Sequence, residues 1–183
     1  MAYRGNGLYL GRFVESNLRE AVYNTAVSGS SFSQIGARID AAGLRDNPLL
    51  IWDGAAVGRT LGSIGMELGV VDAIVRLKAP RRNWLIIPSV VTPGQASAER
   101  VRDDMAALRR ELVARYGDVH MFDALPILQG LADGSEQDRA DVARGMVPSS
   151  VLIDGLHLAR PALVALADAL TRAGGPMATV RDL

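Results

Sequence analysis

The sequence contains no cysteine, only two histidines and equal numbers of acidic and basic residues, 20 of each. The absence of cysteine excludes thiolate nucleophiles, disulfides and cysteine-ligated zinc. His120 and His157 are too few for a multi-histidine metal site, so we expect neither a metal nor a cofactor. A balanced charge gives no electrostatic footprint for nucleic acid. The composition therefore favours a function that needs no metal, thiol or nucleic-acid partner.

Long apolar runs are also missing. None approaches the ~20 residues that a membrane-spanning helix needs. The first seven residues have no apolar segment of the kind found in signal peptides. The sequence thus predicts a soluble chain with no signal peptide and no membrane partner, and leaves the compartment undetermined.

Apolar residues nevertheless make up 49% of the 183 residues, which predicts one domain over 1–183, with 173–183 as a C-terminal tail. Apolar positions spaced by three or four predict helices over 8–20, 33–42, 63–78, 96–116 and 160–173. Short apolar runs predict strands at 22–27, 48–52, 83–87 and 119–122. Strands that alternate with helices predict a parallel sheet in a three-layer α/β/α sandwich. In such a sheet, ligands bind beyond the carboxyl ends of the strands.

The segment Asp154-Gly-Leu-His157 lies just before the last predicted helix. An aspartate and a histidine three residues apart in a turn can share a hydrogen bond. The carboxylate would then fix the imidazole tautomer, and the histidine could act as a general base for a hydroxyl nucleophile. Alternatively, Asp154 caps the helix start and His157 is an ordinary residue, because aspartate is a favoured cap.

The segment Ser28-Gly-Ser-Ser31 follows the first predicted strand. Backbone N–H groups in such a glycine-containing loop can bind an oxyanion, and Ser28, Ser30 or Ser31 could serve as a nucleophile. Alternatively, the segment is a plain strand-to-helix turn with a serine cap.

Taken in order, these loops resemble the SGNH (GDSL) hydrolases. Val22–Ser31 looks like the second block of that family, with Gly29 as the oxyanion glycine. Leu49–Val57 looks like the third block, but Ala56 stands where the family has an oxyanion asparagine. Val151–Leu158 matches the last block, in which Asp154 and His157 carry the catalytic dyad. The resemblance implies a flavodoxin-like α/β/α fold and metal-free hydrolysis of acyl esters of the lipid or carbohydrate type.

The family's first strand, with its nucleophilic serine in a Gly-Asp-Ser turn, has no counterpart in this sequence. Relative to the family, the sheet would lack a central strand and expose two strand edges. Another chain or a second copy could supply that strand, the flanking strands could close up, or Gly7–Leu10 could fill the gap in part. A loss of one oxyanion donor, as at Ala56, costs ~10²–10³ in rate.

Several functional hypotheses follow. The first is an ester hydrolase that acts on a small-molecule or glycan acyl ester, impaired or incomplete in this chain, with its nucleophile from a partner or from Ser28, Ser30 or Ser31. The second is a non-catalytic binding or structural module, or pseudoenzyme, on the same fold. The chain could also be one part of a split hydrolase completed by a partner chain. In a further alternative, the chain is another flavodoxin-like binding protein and the Asp154–His157 spacing is coincidental.

Overall fold

The computed structural model describes residues 6–18, 27, 32–43, 49–52, 83–95 and 97–181. Its helices are α1 (Asn6–Leu18), α2 (Phe32–Ala41), α3 (Ala98–Tyr116), α4 (Leu125–Gln129), α5 (Glu136–Ala143), α6 (Arg160–Thr171) and α7 (Pro176–Arg181). Its strands are β1 (Leu49–Trp52) and β2 (Trp84–Ile87), and short 3₁₀ turns cover Asp118–His120 and Ser149–Val151. No helix in these described ranges combines the length and apolar character required to cross a bilayer.

The predicted three-layer α/β/α sandwich with a flavodoxin-like sheet is wrong, because the described residues are 61% helix and only 6% strand. In the described part of the chain, β1 and β2 pair in parallel over four residues, from Leu49 opposite Trp84 to Trp52 opposite Ile87. Four-residue strands are at the short end of what sheets use. Among the described residues, the core is therefore built mainly by packed helices around a short sheet.

Apolar spacing located the helices well. The predicted helices at 8–20, 33–42, 96–116 and 160–173 are confirmed as α1, α2, α3 and α6, with ends that differ by two residues or fewer. Gly7–Leu10 lies in α1, so the idea that it fills a sheet gap as a strand is wrong. The predicted helix 63–78, and the predicted strand 22–27 apart from Val27, lie outside the described residues.

Strand β2 is buried on both faces, as its continuous apolar run predicted. Leu85 and Ile87 pack into one hydrophobic cluster with helices α1 and α6. Trp84 and Ile86 point the other way and pack with the apolar face of α3. Alternation of side chains along a strand explains this division, because successive residues point to opposite faces.

Helix α1 lies against α6 and covers the first cluster. Leu10 and Val14 are four residues apart on one face of α1, and each is buried. At the edge of this contact, Asn17 donates hydrogen bonds to Asp168 at 2.8 Å and to the Thr171 hydroxyl at 3.1 Å. These bonds join the end of α1 to the last turn of α6.

The predicted strand at 119–122 is wrong. Residues 118–120 form a 3₁₀ turn, and only Met121 makes an isolated parallel bridge to Ile86. His120 is buried, stacks on the Trp84 ring with centroids 3.9 Å apart, and hydrogen-bonds the Trp84 carbonyl oxygen through Nδ1 at 2.9 Å. These contacts satisfy His120 within the core, so it is a packed residue.

Candidate functional site

The segment around Asp154 and His157 is a small hairpin between the second 3₁₀ turn and α6. Leu152 and Leu158 form an antiparallel bridge, and the Ile153 N–H donates to the His157 carbonyl oxygen at 2.8 Å. Side chains alternate across such a pair. Leu158 therefore points into the core, where it is fully buried, while Ile153 and His157 lie on the outward face.

Asp154 closes the hairpin turn. Its Oδ1 accepts the backbone N–H of Leu156 at 3.1 Å and that of His157 at 2.8 Å. Gly155 has a φ of 77°, a left-handed conformation that glycine adopts without strain. The alternative that Asp154 caps the following helix is wrong, because the N-cap of α6 is Ala159. The Asp154 carboxylate instead accepts hydrogen bonds from the backbone of the turn and from the imidazole.

The predicted hydrogen bond between the two side chains is present. His157 Nδ1 lies 2.8 Å from Asp154 Oδ2 and 3.1 Å from Oδ1. The His157 backbone N–H, then its side chain, lower the pKa of the Asp154 carboxyl from its ordinary 3.8 to about 2. The carboxylate is therefore charged at neutral pH. Its side chain is 53% exposed.

This arrangement determines which ring nitrogen can act. A carboxylate only accepts hydrogen bonds, so Nδ1 carries the proton of the neutral ring and Nε2 carries the lone pair. Within the described ranges, Nε2 makes no hydrogen bond. The His157 side chain is partly exposed, by 25%, so the imidazole is not enclosed in the core.

The segment that leaves β2 meets this hairpin from the side. A Cβ atom on Gly94 would lie 2.8 Å from the Gly155 carbonyl oxygen, so the two backbones touch. A few residues earlier, the Val91 carbonyl oxygen accepts the N–H of Val147 at 2.9 Å. The segment that follows β2 therefore contacts the hairpin of Asp154 and His157 at Gly155.

Gly94→Ala is expected to lower the free energy of unfolding by about 1–3 kcal/mol, because its methyl group overlaps backbone rather than a flexible side chain. It should also disturb the Asp154–His157 hydrogen bond. Urea unfolding measures the first effect, and the Nδ1 proton resonance of His157 reports the second. Gly130→Ala is the matched control, because Gly130 has a φ of −66° and its nearest contacts would be 3.4 Å. Equal losses in the two variants would contradict the prediction.

A cluster that sequence analysis missed lies just upstream of the hairpin. Asp138 and Asp141 are three residues apart on α5, and their side chains are 1% and 0% exposed. Asp141 Oδ2 accepts the Ser149 N–H at 3.0 Å and its hydroxyl at 2.6 Å. Asp138 accepts the Ser150 N–H at 3.0 Å and also its hydroxyl. We call these four residues the aspartate–serine clamp.

The clamp keeps both aspartates charged. Burial raises the pKa of Asp138, but hydrogen bonds from Ser150 and Asp133 outweigh it, and the net pKa is lowered. For Asp141, burial likewise raises the pKa, and hydrogen bonds from Ser149, Arg144 and Gln137 lower it further than burial raises it. Two buried carboxylates thus remain ionised because donors surround them.

Acidification is expected to unfold the chain. Asp138, Asp141 and Asp154 all have lowered pKa values in the folded state, so their contribution is present above the unfolded value of 3.8. It is lost as the pH falls through the folded values, about 2 for Asp154. Urea unfolding at pH 7, 5, 4 and 3 should show constant stability down to pH 5 and a fall below pH 4. A free energy of unfolding that rises as the pH falls would contradict the prediction.

The remaining predicted site residues are not among those that the structure describes. Ser28, Gly29, Ser30, Ser31 and Ala56 lie outside the described residues. The structure therefore neither joins them to His157 nor separates them from it. Within the described ranges, no group of three or more potential metal-binding side chains is found. The Asp154–His157 pair is thus the part of the predicted site that the structure assembles.

Comparison with known proteins gives no assignment: no family model, curated protein or solved structure matches this chain. The interpretation of the site accordingly rests on its geometry and on the sequence blocks described above.

Proposed function

We propose that this chain contributes a general-base dyad to the hydrolysis of an acyl ester, with His157 as the base and Asp154 as the group that orients it. The observation that carries the proposal is the 2.8 Å hydrogen bond from His157 Nδ1 to Asp154 Oδ2, which leaves the lone pair on Nε2 of a partly exposed ring. The resemblance of Val151–Leu158 to the last SGNH block supports it. The proposal concerns the chemistry of the dyad and not the family's fold, since the described residues form a mostly helical structure with a two-stranded sheet.

In this reaction, Nε2 of His157 removes the proton from a hydroxyl group while the hydroxyl oxygen attacks the ester carbonyl carbon. Asp154 stabilises the resulting imidazolium. The Nε2 proton then passes to the departing alkoxide, which leaves as an alcohol, and the acyl group stays on the attacking oxygen. A water molecule activated by the same nitrogen releases the acyl group as a carboxylic acid. The dyad returns to its starting state, and no metal or redox partner takes part.

The attacking hydroxyl has two proposed sources. Ser28, Ser30 or Ser31 would supply it from the same chain, with Gly29 as an oxyanion donor. Alternatively, a partner chain or second copy would supply it in a split enzyme. The substrate is a small-molecule or glycan acyl ester in either case.

Turnover of a p-nitrophenyl ester tests the proposal. Wild-type chain should hydrolyse the ester, and His157→Ala should reduce kcat/KM by about 10²–10⁴, the usual contribution of a general base. His120→Gln is the matched control, since His120 is buried against Trp84 and away from solvent. Equal rates for wild type and His157→Ala would reject catalysis by the dyad with a nucleophile from the same chain.

A fluorophosphonate probe distinguishes the sources of the hydroxyl. Labelling of the chain alone at Ser28, Ser30 or Ser31 would place the nucleophile within it. Labelling of a co-purified partner, dependent on His157, would indicate a split enzyme. No His157-dependent labelling of either chain, together with equal ester turnover, would contradict the proposal.

A further inference from the structure

The Asp154–His157 pair is exposed, yet its geometry is well defined. With 53% of the Asp154 side chain and 25% of the His157 side chain exposed, water competes for both groups. An ion pair at such a surface holds its own geometry weakly. The alignment of the two side chains must therefore come from the backbone that carries them.

That backbone is a short hairpin, and an isolated two-stranded hairpin is only marginally stable in water. One end is fixed, because Leu158 is fully buried and leads directly into α6. The other end begins at Leu152, immediately after the 3₁₀ turn Ser149–Val151. The conformation of the hairpin thus depends on what holds this turn in place.

The aspartate–serine clamp holds it. Consecutive serines, Ser149 and Ser150, each give a backbone N–H and a hydroxyl to one buried carboxylate of α5. Bonds to an ionised acceptor are stronger than neutral ones. Four such bonds converge on a two-residue turn, which is far more than a surface loop needs to satisfy its backbone groups.

We propose that Asp138 and Asp141, through Ser149 and Ser150, are positioning residues for the Asp154–His157 dyad. The clamp fixes the entry of the hairpin, and the hairpin aligns the carboxylate with Nδ1. The inference rests on the proposed function for its catalytic consequence, but its structural part stands on the clamp itself.

The test uses the full chain with the double substitution Ser149→Ala and Ser150→Ala, which removes both hydroxyl donors and leaves the backbone donors. Nitrogen-15 NMR of the imidazole reports the tautomer of His157, and the Nδ1 proton resonance reports its bond to Asp154. We expect that resonance to broaden or disappear and the Nε2–H tautomer to appear. If the wild type is active, kcat should fall on the order of tenfold, since small misplacements of catalytic groups are costly.

Two further variants separate positioning from general loss of stability. Ser149→Thr with Ser150→Thr retains the hydroxyl donors and should restore the wild-type spectrum. Ser135→Ala removes the N-cap of α5, whose hydroxyl accepts the Asp138 N–H at 3.1 Å, and so weakens the same helix without altering the serine donors. It should leave the His157 signature unchanged. If the double alanine variant does not fold, Ser150→Ala alone provides the same comparison.

The outcomes are distinct from those of the proposed function. A His157 spectrum that is unchanged in the folded alanine variants would overturn the positioning role, whether or not the chain hydrolyses esters. An altered His157 spectrum in the alanine variant, together with a wild-type chain that does not hydrolyse the ester, would support the positioning role and reject ester hydrolysis by this chain alone.

Discussion

Replacing Asp141 with alanine is expected to lower the free energy of unfolding by about 3 kcal/mol. Asp141 is fully buried and accepts hydrogen bonds from both the backbone and the hydroxyl of Ser149. It also accepts from Gln137 at 2.9 Å and from Arg144 at 2.6 Å. Alanine leaves these donors without their acceptor, and each buried donor so abandoned costs about 1–3 kcal/mol. The exposed donors can turn toward water, so the loss of unfolding free energy is smaller than the sum of the costs for the separate donors.

Urea unfolding followed by circular dichroism at pH 7 measures this loss. Glu136→Gln is the matched control, because Glu136 is an exposed acid in the first turn of the same helix. It should change stability by less than about 0.5 kcal/mol, as surface substitutions usually do. Comparable losses in the two variants would show that the buried carboxylate does not stabilise the fold.

Replacing Asp154 with asparagine is expected to reduce ester hydrolysis by about 10²–10⁴ while the chain stays folded. The asparagine oxygen can still accept the backbone N–H groups of Leu156 and His157, so the turn persists. The asparagine amide nitrogen, however, donates to Nδ1 instead of accepting from it. The ring must then carry its proton on Nε2, where it can no longer act as a base. The equivalent substitution in the serine-protease triad lowers kcat about 10⁴-fold for this reason.

Asp133→Asn is the matched control for this substitution. Asp133 also accepts a backbone N–H two residues ahead, that of Ser135 at 2.8 Å, but no histidine contacts it. The initial rate of p-nitrophenyl ester hydrolysis, measured from pH 5 to 9, compares the two variants. Retention of the wild-type rate and pH profile by Asp154→Asn would contradict the role of Asp154 in orienting His157.

Sequence analysis identified the Asp154–His157 pair because its interaction is local. Three residues separate the two side chains, and the turn between them contains a glycine with a positive φ. The backbone N–H groups of Leu156 and His157 donate hydrogen bonds to Asp154 within the same turn. Such a pair can be predicted from spacing, although its catalytic use remains a proposal.

The aspartate–serine clamp could not be predicted in the same way. An aspartate pair three residues apart is visible in the sequence and indicates one face of a helix. The serine partners of the two aspartates lie 8 and 12 residues further along the chain, after the segment that connects α5 to the 3₁₀ turn. Acidic residues at this spacing are most often solvated, so only the tertiary structure shows that both are buried.

The sequence by itself determined the positions of α1, α2, α3 and α6, the burial of β2 and the local pairing of Asp154 with His157. These features depend on the periodicity of apolar residues and on short spacings, both of which involve residues that are close together in the sequence. The tertiary structure decided the fold class, the 3₁₀ turn at Asp118–His120 and the contact of Gly94 with Gly155. Sheet extent and loop contacts depend on which distant segments meet. An apolar run such as 119–122 becomes a strand only if a neighbouring backbone supplies its hydrogen bonds.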